Sequence, residues 1–137
     1  MDPYSMRDPS TASPPRGRLL VADDEPHIRR ILTTLLEMSE FVVDAVSDGT
    51  AALELLGGSV HYDLILLDIM MPGASGLEVL REMRTLPTRS DVPVMILTAK
   101  GQDADRDEAF ELGAADFVTK PFSPKKLLAR IDELLDA

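Results

Sequence analysis

Five short apolar runs, each followed by a segment with apolar residues at helical spacing, fill the chain from residue 18 to residue 135. The runs are RLLVA (18–22), FVVDAV (41–46), DLILL (63–67), VPVMIL (92–97) and DFVT (116–119). After the first, Ile28, Ile31, Leu32, Leu35 and Leu36 form a stripe that predicts a helix, with Pro26 in its first turn, where a missing N–H costs nothing. Asp48 reads as the N-cap of a helix over TAALELL (50–56), stopped by Gly57 and Gly58. Ser75 reads as the cap of a helix carrying Leu77, Val79, Leu80 and Met83. Residues 102–112 predict a fourth helix ended by Gly113, polar enough to be the least firmly anchored. A fifth, from about Ser123, carries Leu127, Leu128, Ile131, Leu134 and Leu135. Strands apolar on both faces, alternating with helices, require a parallel sheet covered on both sides. Right-handed crossovers make that a doubly wound α/β sandwich. In such sheets, ligands bind beyond the carboxyl ends of the strands.

Composition narrows the chemistry. The 137 residues suit a single core. There are no cysteines, which excludes disulfides, thiolate metal sites and cysteine nucleophiles. His27 and His61 stand far apart, so a zinc site is not expected. With 24 acidic and 14 basic residues the net charge is −10, a field that repels phosphate backbones and argues against direct nucleic-acid binding. No apolar run reaches the ~18 residues of a membrane span. Residues 1–17, MDPYSMRDPSTASPPRG, are rich in Pro, Ser and charge and lack a signal-peptide core. They are read as a disordered leader, with MDPYS a candidate cloning remnant, and 18–137 as the folded domain.

The strand ends carry the functional signal. Asp23 and Asp24 follow strand 1, Asp68 follows strand 3, strand 4 runs into Thr98 and strand 5 into Lys120. Taken singly, each has an ordinary reading as loop, cap or turn chemistry. Together, at the same edge of one sheet, they place three carboxylates, a hydroxyl and an ammonium around one point. Three close carboxylates repel one another; with Lys120 the set carries −2, which a divalent cation neutralises. All-oxygen donors without His or Cys suit Mg2+, or Mn2+, better than zinc. Lysine, hydroxyl, cation and turn N–H groups also form a cradle for a phosphoryl group, and one carboxylate can serve as nucleophile.

At these residues the chain resembles a known family. LLVADDEPHIRRIL, DLILLDIMMPGASGLEVL, VPVMILTA and GAADFVTKPFSPKKLL are similar to the receiver domain of bacterial two-component response regulators, over residues 18 to 135. The resemblance implies a flavodoxin-like, CheY-like sheet of strand order 2-1-3-4-5. It implies Asp68 as phosphoacceptor, taking a phosphoryl group from a histidine kinase or phosphotransfer protein. It implies Mg2+ bound directly by Asp24, Asp68 and the carbonyl of Met70, with Asp23 acting through water. Lys120, Thr98 and the N–H groups of Met70 and Ala99 would hold the phosphoryl oxygens. A cis bond would precede Pro121. Thr98 and Phe117 would be the switch pair, with Phe117 where many relatives carry Tyr. The output face would be helix 4, strand 5 and helix 5.

The same resemblance implies a cytoplasmic protein that is not an enzyme beyond its own phosphorylation and dephosphorylation. Met70 and Lys100 flank the expected path of attacking water, and neither activates water, so slow dephosphorylation is expected. The chain ends with its fifth helix, which leaves two readings: a single-domain regulator acting on a downstream protein, or part of a longer regulator whose output domain binds DNA. Such receivers often dimerise, but Ala115 stands where an acidic residue is usual and leaves Asp116 to pair with Arg130. A monomer or weak phosphorylation-dependent dimer is the expectation. Two alternatives are an aspartyl-phosphate phosphatase, which would want an acid where Met70 stands, and a degenerate receiver that only binds partners.

Overall fold

The computed structural model describes residues 14–99 and 102–136. Most of the predicted leader, residues 1–13, and the water-path residue Lys100 lie outside the described residues. Five strands and five helices alternate: β1 (Gly17–Ala22), α1 (Pro26–Met38), β2 (Phe41–Val46), α2 (Gly49–Leu56), β3 (Leu64–Leu67), α3 (Gly76–Met83), β4 (Val94–Thr98), α4 (Asp103–Glu111), β5 (Asp116–Thr119) and α5 (Pro124–Asp136). All strand pairs are parallel, in the order β2-β1-β3-β4-β5. The fold class and strand order expected from the sequence are those found.

Period-two alternation within each buried strand builds two cores, one on each face of the sheet. Leu19, Val21, Leu64, Leu66, Met95 and Leu97 face α1 and α5, which contribute Leu32, Leu36, Leu127 and Ile131. Leu20, Ala22, Ile65, Leu67, Val94 and Ile96 face the other way, against Ala52 and Leu56 of α2, Val79, Leu80 and Met83 of α3, and Ala109 of α4. The α1 stripe is narrower than its periodicity implied, because Ile31 is 46% exposed. Helix α4 buries only Ala109, in keeping with its polar sequence.

Local chemistry sets the element ends. Asp48 accepts a hydrogen bond from Ala51 N (2.7 Å) and Ser75 accepts one from Glu78 N (3.2 Å), so both predicted N-caps are present. Strand β4 begins at Val94 rather than at residue 92, since Pro93 has no N–H to give to a ladder. Strand β1 begins at Gly17, one residue before the sequence reading. Just ahead of it, Arg16 donates its backbone N–H to Glu40 O, lies over the Phe41 ring and pairs with Asp132. Gly113 takes a left-handed φ of 87° after α4, and Glu40 turns the chain after α1 at φ 73°, which the sequence did not signal.

Helix α2 ends at Leu56 with Gly57 at its C-cap, where the glycine pair places its stop. Gly57 is right-handed at φ −76°, so no left-handed glycine closes this helix. Arg89, buried at 2% exposure, does so from 33 residues away. Its guanidinium donates to Leu56 O (3.0 Å), Gly58 O (3.2 Å) and Leu55 O (3.4 Å) and lies 5.3 Å from the Tyr62 ring centroid. The fully buried Tyr62 donates its hydroxyl to Asp44 Oδ2 (2.6 Å), and Asp44 also accepts from Arg18.

This network has a pH consequence. Burial, reinforced by the hydrogen bond to Asp44, pushes the Tyr62 phenol up to about 12. A folded-state value above the unfolded one stabilises fully below the unfolded pKa of about 10 and is lost as pH rises through 12. Between those limits, wild type is expected to lose roughly 2–3 kcal/mol more stability than Tyr62→Phe. Urea titrations of both proteins at stepped alkaline pH check this; parallel pH profiles would remove the Tyr62–Asp44 bond from the account.

Candidate phosphoryl-transfer and metal site

The ladders run past the strand ends and fix the backbone of the site. Asp23 N donates to Val46 O (3.1 Å), Asp68 N to Ala22 O (2.9 Å) and Lys120 N to Thr98 O (2.9 Å). Three residues far apart in sequence are therefore held rigidly at one edge, as the rule for parallel sheets anticipates. Gly76, the first residue of α3, lies so close behind the phosphoacceptor position that a Cβ there would sit 2.2 Å from Asp68 O.

Lys120 is the centre of the arrangement. Its Nζ donates to Asp23 Oδ2 (2.7 Å), Asp68 Oδ2 (2.8 Å) and Glu25 Oε1 (3.2 Å). Asp23 and Asp68 are 1% and 3% exposed, and Thr98 is fully buried at the end of β4. The remaining Asp68 oxygen, Oδ1, accepts from Met70 N (3.2 Å). Asp23 Oδ1 accepts from Glu25 N (2.9 Å), and Arg29 holds the Asp23 carbonyl (2.8 Å). A cleft of about 210 Å³ opens over this floor, lined by Asp24, Glu25, Asp68, Met70, Thr98 and Ala99. The Lys120–Pro121 bond is cis.

Burial pushes the Asp23 carboxyl above its ordinary value, against the pull of the Lys120 hydrogen bond. Burial alone would lower the Lys120 ammonium, but its hydrogen bonds to Asp23 and Asp68 outweigh that and raise it. The lysine stays charged while Asp23 is left under electrostatic stress, a state that an added cation relieves.

Asp23, Asp68, Thr98 and Lys120 are thus brought together as read from the sequence. Asp24 is exposed and stands at the rim of the cleft rather than in the central cluster. Glu25 reaches that cluster as well: oxygens of Asp23, Glu25 and Asp68 lie within 4.8 Å of one another. The sequence reading passed over Glu25, whose only signal was its place at the end of the acidic run DDE. Three hard carboxylates against one ammonium leave −2 at the floor of the cleft, so the donor set and charge fit a divalent cation such as Mg2+. Met70 is 57% exposed at the cleft mouth, and Ala99 is exposed beside it. Phe117 is 7% exposed and packs in the core on the α2–α3–α4 face. Arg130 Nε donates to Asp116 Oδ2 (2.9 Å), the pair expected from the sequence. Among the described residues, no helix is long and apolar enough to cross a membrane.

The chain is similar to known proteins. The family described as the response regulator receiver domain matches residues 19–132. The transcriptional regulatory protein ResD of Bacillus subtilis is 43% identical over 118 residues, covering 86% of this chain and 48% of that protein. The CpxR homologue of Haemophilus influenzae, also a transcriptional regulatory protein, is 46% identical over 119 residues, covering 87% and 50%. A CheY-like response regulator receiver domain protein from Methanospirillum hungatei superimposes with a TM-score of 0.83 at 26% identity, over 88% of this chain and 94% of that one. The chain spans about half the length of the curated relatives it matches. It belongs to the response regulator receiver domain family.

Proposed function

We propose that Asp68 accepts a phosphoryl group from a phosphohistidine of a sensor histidine kinase or phosphotransfer protein. The single observation that carries this is the setting of Asp68: a buried carboxylate on a rigid strand end, open to a cleft, with Lys120 on one oxygen and the Met70 N–H on the other. A carboxylate oxygen attacks phosphorus, the P–N bond breaks, the imidazole nitrogen leaves and is protonated, and an acyl phosphate forms. Lys120, Thr98 and the N–H groups of Met70 and Ala99 then hold the new phosphoryl oxygens. Asp24, Asp68 and the Met70 carbonyl would hold Mg2+, with Asp23 supporting it through water. When bound, the cation offsets the charge gathering between carboxylate and phosphoryl group.

The acyl phosphate places acceptor oxygens beside Thr98, and the response passes through Phe117 to α4, β5 and α5. A groove of about 500 Å³ runs along β5 and α5, lined by Phe117, Phe122, Lys126, Leu127 and Arg130 among others. It is the surface offered to a downstream protein or an output domain; the transcriptional regulatory proteins that the chain matches over half their length support a transcriptional output. The domain acts in the cytoplasm, as a monomer or weak phosphorylation-dependent dimer, and catalyses only its own phosphorylation and dephosphorylation. The exposed thioether of Met70 brings no acid to the cleft, which disfavours a small-ester phosphatase.

Intact mass after incubation with Mg2+ and acetyl phosphate tests the reading. Wild type is expected to gain one phosphoryl group, which EDTA prevents, and to lose it slowly after the donor is removed. Asp68→Asn is expected to gain none. Labelling of the variant at the wild-type rate would move the acceptor elsewhere.

A further inference from the structure

The ammonium that must receive a phosphoryl oxygen has no N–H to spare. Lysine carries three donors, and Lys120 gives them to Asp23, Asp68 and Glu25 at 2.7, 2.8 and 3.2 Å. A phosphoryl oxygen can bind Lys120 only if one carboxylate lets go. Asp23 has a side chain 2% exposed and cannot be released to water without a rearrangement of the floor, and Asp68, at 3%, stays in place as the group that carries the phosphoryl. Glu25 is different. Its side chain is 40% exposed and makes the longest of the three bonds. Water can receive its carboxylate at small cost, as for any half-exposed ion pair.

The local structure aims Glu25 at the lysine. Glu25 is the N-cap residue of α1, yet its side chain makes no capping hydrogen bond. Its backbone is pinned at both ends, by Glu25 N to Asp23 Oδ1 and by Arg29 N to Glu25 O. The side chain is left to cross into the cleft, where it bonds a residue 95 positions away.

We infer that Glu25 is a positioning residue acting through Lys120: it occupies the seat that a phosphoryl oxygen takes and so restrains phosphoryl binding. This rests on the phosphoryl-acceptor reading of Asp68. Pairing with Glu25 keeps Lys120 satisfied before phosphorylation and makes its transfer to the phosphoryl group an exchange of partners.

The test is calorimetric binding of beryllofluoride, a phosphoryl mimic, to the full chain at saturating Mg2+, with Mg2+ affinity measured separately for each protein. Glu25→Gln keeps the shape without the charge. Glu25→Asp keeps the charge but is one methylene too short to reach Lys120. Both are expected to bind beryllofluoride roughly 2- to 5-fold tighter than wild type, the worth of one half-exposed ion pair released. A merely structural residue would not raise this affinity. A gain in Glu25→Gln alone would assign the effect to net charge and overturn the proposal. Unchanged or weaker binding by both variants would overturn it too, and a parallel loss of Mg2+ affinity would make Glu25 a metal ligand instead. If wild type and both variants bind none, the phosphoryl-acceptor reading falls and takes this one with it. Binding by wild type with no gain in either variant sinks this inference alone.

Discussion

Replacing Lys120 by Met is expected to destabilise the metal-free domain by about 3 kcal/mol. Methionine preserves the length of the stem and removes the charge. The buried carboxylates of Asp23 and Asp68 then face each other, with Glu25 beside them, and no cation compensates. Removing one partner of a buried ion pair costs far more than the pair contributes, because the other partner is left desolvated and alone. Two dependences identify the cause. Mg2+ should narrow the deficit, since the cation supplies the missing positive charge. Lower pH should narrow it as well. Burial already holds the Asp23 carboxyl above its ordinary value; without Lys120 it rises further. A raised folded-state value stabilises below the unfolded pKa and loses that stabilisation as pH rises through the folded one. Urea unfolding in EDTA and in Mg2+, at pH 5 and pH 8, reads all of this. A deficit below 1 kcal/mol in EDTA, or one indifferent to Mg2+, would mean the floor of the cleft relaxes freely.

Gly76→Ala should strike both fold and site. The added methyl would lie 2.2 Å from Asp68 O, 2.8 Å from Asp68 C and 3.1 Å from Ile69 Cα, all backbone atoms. None can swing aside as a side-chain tip would. The N-terminus of α3 must lift, the Gly76 N to Ile69 O bond must lengthen, or the Asp68 peptide must shift. Overpacking of this kind costs roughly 3 kcal/mol. Each of these movements displaces the nucleophile or the turn whose N–H supports it, so phosphoryl uptake from acetyl phosphate is expected to slow at least ~10-fold in protein that remains folded. Denaturant unfolding gives the first quantity and timed intact-mass measurements the second. Near-wild-type values for both would show that α3 can move away from β3 without consequence.

Much of this site was legible in the amino-acid order. A parallel sheet places strand ends on one edge, so the residues just past each apolar run were enough to assemble Asp23, Asp68, Thr98 and Lys120. The caps at Asp48 and Ser75 were legible for a similar reason: each depends on a hydrogen bond spanning three residues. Element ends were less legible where a residue acts from a distance. The two glycines mark where α2 stops, but nothing near Gly57 announces that Arg89 holds its last carbonyls. The exposure of Ile31 was hidden because periodicity counts apolar residues without revealing how wide a face the sheet can cover.

The sequence by itself determined the α/β alternation, the two-sided sheet and the edge where chemistry gathers, because these follow from side-chain periodicity and short-range hydrogen bonds. Only the tertiary structure decided which carboxylates share the lysine. Asp24 and Glu25 are neighbours of like charge, indistinguishable by composition. The turn leading into α1 leaves Asp24 at the rim and carries Glu25 Oε1 to within 3.2 Å of Lys120. That choice depends on side-chain direction over a fraction of a helical turn and on a partner 95 residues away, and both are properties of the packed molecule.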